Sequence, residues 1–449
     1  MRKFLLIVLG FLSFLHFEDA KGSVFGFFGD ARELPADFET IQTQANKPNF
    51  LKTSDFDLIY KNLPESGTTA RDFAYLTADS EFQKVLRSHF KKIKLINCHD
   101  LYKNEHSDQP NNVPELYATE LYSGPAALKL AQSGKKVAIL IFADSTNVGG
   151  IYLTKRGNPA CTQEEQTVLM APEIYGYLGN NFGVHDIGGD GDEIYSAKQK
   201  RYCLSKDGYK NSEIINPAYG FILTNLLVTH DVERCSKMIK LPKDKVVEVS
   251  YAFLSMPSFA IDISRDPTGA MLMNQSGEKD GEKIYDRMRQ TFDILREDND
   301  VCSPQMMRDT GKIAIFYPTE KLRDFSKQYL GENLSISEII AKIIEIKSEQ
   351  PEKSEKVMSI FEEAQKNYEK CVFDKFINLI RGAETAGSDT LVLGKIGCGA
   401  FLNDENEIAS ILGKALIECR SIKHVYFAGI NKTDPLVEKV RSAMGKISK

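Results

Sequence analysis

Glu164 and Glu165 stand side by side after Gln163, and a carboxyl group that can give and take a proton is what cleavage of a glycosidic bond requires. Two glycine-bearing segments accompany them. Phe142-Ala143-Asp144-Ser145-Thr146-Asn147-Val148-Gly149-Gly150 lies just upstream, and Gly397-Cys398-Gly399-Ala400-Phe401-Leu402-Asn403-Asp404 far downstream. Each sits where an apolar strand pattern runs out and a helical pattern begins, an arrangement that presents backbone N–H groups to phosphate oxygens. Two such loops can grip a diphosphate, and carboxylates beside a nucleotide diphosphate point to chemistry on the sugar. Asp144, at the carboxyl edge of a sheet, would reach a ribose hydroxyl. Gly149 and Gly150 let the backbone approach a ligand closely, and Phe401 could stack on a ribose or pack beneath it.

Structural alternatives accompany these readings. Thr162 and Glu165 have the T-x-x-E spacing of a capping box, in which Glu165 would only reach back to the main chain. Cys398 has no histidine near it in sequence and reads as a small packing residue rather than a nucleophile. The acids and glycines of His185-Asp186-Ile187-Gly188-Gly189-Asp190-Gly191-Asp192-Glu193 lack the spacing of an EF-hand and read as a surface loop. Cys98-His99-Asp100 has metal-capable side chains but no second cluster at ligand spacing, so no metal site is assigned.

The elements that must position these residues follow an α/β pattern. Val137-Ala138-Ile139-Leu140-Ile141-Phe142 is apolar at every position, as a strand covered on both faces should be. Similar runs at Val246 to Leu254, Ile313 to Tyr317, Leu391 to Leu393 and His424 to Phe427 are read as further strands, with a helix over Glu407 to Ile417. Thr77-Ala78-Asp79-Ser80 ahead of Phe82, Val85, Leu86 and Phe90 predicts a capped helix. Between Ser264 and Tyr368 the chain becomes charged and helical. Tyr285, Met288, Phe292 and Leu295 form one stripe and Val357, Phe361, Ala364 and Tyr368 another, with a polar break at 350–354.

The 449 residues can bury a substantial core, and a net charge of −5 argues against direct nucleic-acid binding, which would call for a basic face. Arg2 and Lys3, the apolar run Phe4 to Phe17 and Ala20-Lys21-Gly22 read as a signal peptide; the run is too short for a stable membrane span. Export is therefore expected. The eight cysteines are scattered and leave disulfide formation open.

Together, Phe142-Ala143-Asp144, Gly149-Gly150, Gln163-Glu164-Glu165, Gly397-Cys398-Gly399-Ala400-Phe401 and Val425-Tyr426-Phe427 resemble the poly(ADP-ribose) glycohydrolase family, specifically its bacterial-type macrodomain. The resemblance covers roughly 135–178 and 373–440, with a weaker echo at 246–259. It implies a macrodomain-like, mixed and largely parallel sheet flanked by helices. The corresponding organisation is a signal peptide (1–22), an N-terminal extension (23–114), a first macrodomain part (115–263), a helical insertion (264–368) and a second macrodomain part (369–449).

By the same resemblance, Glu165 is the catalytic acid/base and Glu164 orients the ribose at the scissile bond. Asp144 stands where the family usually has Asn and touches that ribose. Gly149, Gly150, Gln163, Gly397, Cys398, Gly399, Ala400 and Phe401 line the substrate, and Phe427 lies against the adenosine side. No cofactor and no metal are implied. The partner is ADP-ribose or an ADP-ribosylated protein. Two departures stand out: the family's glycine triplet is here Gly149-Gly150-Ile151, and the spacer from Ile151 to Thr162 is longer than usual. They leave room for a leaving group other than the polymer, and they keep two alternatives open: a non-catalytic ADP-ribose reader, or an effector acting in a host cell whose insertion binds a partner protein.

Overall fold

The computed structural model describes residues 53–63, 84–85, 88–89, 92–98, 101, 112–142, 163–171, 220–233, 237–254, 256–257, 259, 284–296, 303–331, 333–349, 355–399 and 401–445. The expected signal peptide at 1–22, the acidic segment at 185–193, and His99 and Asp100 lie outside them. Of the helix expected after Thr77, residues 84, 85, 88 and 89 are described and are helical.

In chain order the elements are α1 (Thr53–Lys61), β1 (Leu95–Asn97), β2 (Glu115–Thr119), α2 (Ser123–Gln132), β3 (Val137–Phe142), α3 (Gln163–Met170), β4 (Gly220–Val228), β5 (His230–Glu233), β6 (Lys237–Lys240), β7 (Val247–Leu254), α4 (Ile284–Arg296), α5 (Pro304–Phe316), α6 (Thr319–Phe325), α7 (Ile336–Glu349), α8 (Glu355–Thr385), β8 (Thr390–Leu393), α9 (Glu405–Leu416), β9 (His424–Ala428) and α10 (Pro435–Gly445). Seven strands form one sheet in the order β1-β4-β7-β3-β8-β9-β2, and β5 and β6 form a separate hairpin. The pairs β7–β3, β3–β8, β8–β9 and β9–β2 are parallel, whereas β4 runs antiparallel to β7 and to β1. The expected α/β class with a mixed, largely parallel sheet is therefore the observed one.

Strand alternation divides the core into two layers. On β3, Val137, Ile139 and Ile141 turn toward α2 and α3, while Ala138 and Leu140 turn toward α4 to α10. Leu391 and Leu393 of β8, and Val425 and Phe427 of β9, join the second layer, whereas Val392, Tyr426 and Ala428 join the first. Consecutive apolar residues on the central strands are the sequence trace of this double cover.

The second layer is built by the segment expected as a helical insertion. Met288, Phe292 and Leu295 of α4, and Val357, Ala364 and Tyr368 of α8, are buried as their stripes require, and the polar break falls between Glu349 and Glu355. These side chains share one apolar cluster with the sheet residues Ala138, Ile222 and Ala252. The helix α8 runs unbroken through position 368.

One expected strand is a helix. Ile313 to Phe316 are the last turn of α5, and Tyr317 is its C-terminal cap. Ser303 caps the start by accepting from Met306 N at 3.2 Å, and Pro304 takes the first position. Thr310 through Phe316 are all buried, so this half of the helix is covered on every side. A short apolar run of this kind has the same appearance in sequence as a buried strand.

Among the described residues no helix is long and apolar enough to cross a membrane, and Cys98, Cys371, Cys398 and Cys419 are free thiols. The C-terminal end of α8 is tied to the turn before β9 through Glu384, which accepts from Arg381 Nη1 at 2.6 Å and from Ser421 N at 2.9 Å. Arg381 is almost fully buried. Glu384→Ala strips a buried guanidinium of its carboxylate and should cost about 3–5 kcal/mol, read as a lowered midpoint in urea unfolding.

Candidate active site

The parallel strands β7, β3, β8, β9 and β2 end on one edge of the sheet, where loops of α/β proteins bind ligands. Chain order changes direction there: after β3 the chain lays down β4 and then β7 on one side of β3, and afterwards places β8 on its other flank. The helix that follows β3, α3, packs with the first layer, and the helix that follows β8, α9, packs with the second. The two segments therefore leave adjacent strand ends toward opposite faces, the arrangement at which open α/β sheets carry a ligand crevice.

The α3 side of the crevice is fixed by an amide. The ladder from β3 to β8 stops at Ile139↔Val392, while the ladder to β7 continues to Phe142↔Leu254. Beyond that stop, Gln163 Nε2 donates to Leu140 O at 2.7 Å, and its Oε1 accepts from Phe142 N at 2.9 Å. The side-chain amide thus bonds β3 as a neighbouring strand's peptide would. Gln163 was expected to line the substrate; in the structure its amide clasps the start of α3 to the end of β3.

The rest of α3 is held from within. Thr167 Oγ1 donates to Gln163 O at 2.6 Å, and Tyr251 Oη donates to Thr167 O at 2.9 Å. Glu164 is 2% exposed, one residue beyond the clasp. For Glu165 the main chain is described and is helical; its side chain, like Asp144, Gly149, Gly150 and Ala400, lies outside the described residues. The proposed Thr162 to Glu165 capping box lies there as well.

On the β8 side, Gly394 follows the strand, and a Cβ at this position would lie 2.7 Å from Cζ of Phe142, so the start of the second loop packs directly on the end of β3. Gly397 has φ +72°, and a Cβ there would lie 2.9 Å from both Asn403 Nδ2 and Met256 Cβ. Only glycine meets both conditions without strain. The loop closes on itself through Asn403 N to Gly397 O at 3.0 Å and Leu402 N to Gly399 O at 3.0 Å, and Leu402 takes φ +56°. Phe259 N donates to Phe401 O at 2.9 Å, joining this loop to the segment after β7. The amides of Gly397, Gly399 and Phe401 take no acceptor among the described residues.

Asn403, which the sequence reading did not single out, is 3% exposed and holds three points together. Its Nδ2 donates to Pro257 O at 2.7 Å and to Gly397 O at 3.0 Å, and its Oδ1 accepts from Tyr368 Oη at 2.9 Å. A buried Asn directly after a glycine loop was the available signal, since such a side chain must find main-chain partners.

Two features of this side bear on the expected contacts. The N-terminus of α9 is not open to an anion, because Asp404 caps it by accepting from Asn406 N at 2.9 Å and Glu407 N at 3.2 Å. Lys395 is likewise committed, to Glu405 at 2.8 Å and Asp434 at 2.9 Å. Burial works against its charge, but those two carboxylates outweigh burial and raise its pKa. Phe427, expected on the adenosine side, is fully buried in the helix-covered layer and serves as core.

Cys398 is partly buried, its Sγ 3.5 Å from Ile396 O. Burial first, and then the nearby Glu405 charge, push its thiol up to about 12. It is therefore protonated at neutral pH and unsuited to nucleophilic attack.

No family model and no curated protein matches the chain. Among solved structures it is similar to poly(ADP-ribose) glycohydrolase from Thermomonospora curvata, with 12% identity over 87% of this chain and 100% of that one, at a TM-score of 0.41. The same enzyme bound to the inhibitor ADP-HPD gives 13% identity over 88% and 100%, at 0.39. Poly(ADP-ribose) glycohydrolase from Deinococcus radiodurans in complex with ADP-ribose gives 14% identity over 81% and 98%, at 0.39. At these identities and TM-scores the likeness is weak.

Two measurements follow. Gln163→Glu replaces the donor facing Leu140 O with an oxygen and should cost about 1–3 kcal/mol at neutral pH, the penalty of an unpaired buried group. The substituted carboxyl faces a carbonyl, so its folded pKa is raised and the deficit in unfolding free energy should shrink as pH falls. Cys398 in the native protein should react with iodoacetamide at pH 8 at least about a hundredfold more slowly than free cysteine, with labelling rising steeply at higher pH.

Proposed function

We propose that this protein is an ADP-ribosyl hydrolase that cleaves the anomeric ribose bond of poly(ADP-ribose) or of an ADP-ribosylated protein. The observation that supports the reading is that the Gln163-Glu164-Glu165 helix start is clasped to the end of β3 while the Gly397 to Phe401 loop follows the neighbouring strand β8. The clasp by Gln163 ties the glutamates to one wall. The amides of Gly397 and Gly399, which take no acceptor among the described residues, belong to the loop after β8 and are suited to diphosphate oxygens.

In this reading Glu165 begins protonated and passes its proton to the departing oxygen as the bond to the anomeric carbon breaks. Positive charge develops on the ribose ring, and the nearby carboxylate of Glu164, which orients that ribose, lowers its energy. Water then adds to the anomeric carbon and returns a proton to Glu165. Asp144 and the Gly149-Gly150 segment complete the ribose and phosphate contacts. The leader at 1–22 adds the proposal that the enzyme is exported, acting outside its cell of origin.

A second reading, a reader that binds ADP-ribose without hydrolysing it, is favoured by Ile151 in place of a third glycine and by the long spacer after it. Retention of both glutamates weighs the other way, because binding alone needs neither. Incubation of the purified protein with poly- and mono-ADP-ribosylated proteins separates the two: the expected result is release of ADP-ribose that falls by about 10²- to 10⁴-fold in Glu165→Ala. Tight ADP-ribose binding with no release by the wild type would assign the reader, and release unaffected by Glu165→Ala would remove Glu165 from the mechanism.

A further inference from the structure

Tyr368, on α8, belongs by sequence to a core stripe, yet its hydroxyl does not end in apolar surroundings. It donates to Asn403 Oδ1 at 2.9 Å, and the same Asn403 holds Gly397 O and Pro257 O through Nδ2. The Tyr368 ring is wedged between Phe259 and Phe316, with centroids 5.5 and 5.6 Å away. Lys312 Nζ of α5 lies 4.7 Å from the ring centroid and bonds both oxygens of Glu407 and Oε1 of Gln365, each at 2.7 Å. Glu407 lies in the first turn of α9, directly after the loop. Two contacts from the helical layer therefore meet the second loop and the helix that follows it.

The constraint is directional. Gly397 and Leu402 both hold positive φ, and a loop of that shape persists only when its surroundings fix it. The side-chain amide of Asn403 spans the loop's entry at Gly397 and its exit, but its orientation depends on a donor reaching Oδ1 from outside. Burial keeps the Tyr368 phenol protonated far above neutral pH, so it remains that donor.

We propose that Tyr368 and Asn403 are positioning residues that hold the 397–401 loop in its ligand-binding shape, so that the helical layer governs ADP-ribose affinity without touching the ligand. The consequence for the ligand rests on the reading of the crevice as an ADP-ribose site; the support of the loop does not.

The test compares hydrogen exchange of the full-length wild type and Tyr368→Phe without ligand, with ADP-ribose titrated into the same samples. Phenylalanine keeps the ring contacts and removes only the donor. The expected result is roughly tenfold faster exchange in the peptide covering 395–404, with the interior of α9 and strand β8 unchanged and a weakening of ADP-ribose binding of similar size. Asn403→Asp, which turns an oxygen toward Gly397 O and Pro257 O, should give a larger effect at the same peptide. Unchanged exchange there in both variants overturns the proposal, as does a loosened loop with unaltered affinity in proteins that bind ADP-ribose. A wild type with no affinity for ADP-ribose counts against the crevice as that site, while the exchange comparison still decides whether Tyr368 holds the loop.

Discussion

A strand in the middle of a parallel sheet must satisfy its main-chain groups to the very end, and β3 continues three residues past its last pairing with β8. The gap this leaves is the crevice, and an amide side chain fills it on one side. Gln163 bonds Leu140 O and Phe142 N, so the strand end is satisfied without a further strand closing the opening. Everything else at this edge follows from that arrangement. The start of α3 is placed one residue from Glu164, and Gly394 can pack against the Phe142 ring from the other flank. Had β8 continued along β3, the pairing would be complete and no cleft would remain.

The opposite wall is organised by burial. Asn403 and Tyr368 are almost fully enclosed, and the polar atoms they carry there find each other and the carbonyls of Gly397 and Pro257. Charge is balanced in the same region by local pairs: Lys312 with Glu407, and Lys395 with Glu405 and Asp434. The helix N-terminus is satisfied by its own Asp404. Among the described residues here an anionic ligand would therefore meet loop amides rather than a helix end or an unpaired lysine, and binding by fixed amides depends on their geometry.

Most of the layer architecture was legible from unbroken apolar runs, because strands covered on both faces carry no polar alternation, as at Val137 to Phe142 and His424 to Phe427. The same signal misled at Ile313 to Tyr317, where the half of a helix that is enclosed on all sides shows the same run. Periodicity identified the stripes of α4 and α8 but said nothing of what the Tyr368 hydroxyl would meet, since that partner lies 35 residues away in sequence. Gln163 was marked because it adjoins two glutamates, and its bonds to β3 depend on where β8 stops, a fact of three-dimensional register that no local pattern carries. Phe427 was assigned to a ligand face by resemblance. Its place in β9 turns it to the covered side of the sheet, where strand alternation fixed its direction.

The unbroken course of α8 bears on how this chain could have acquired, or could lose, its helical segment. The 31 residues of α8 span about 46 Å, and the same helix that packs against α5 at one end lies under β4 at the other. A module added late to an existing domain usually enters and leaves through exposed connections. Here the exit is the middle of a rigid rod whose two halves share a core with the sheet. Excision of 264–368 would cut α8 at Tyr368 and part the half that packs on α5 from the half that lies against β4. The boundary expected at 368 therefore falls inside one continuous helix, whose hydrogen-bond ladder joins the segments on either side of it.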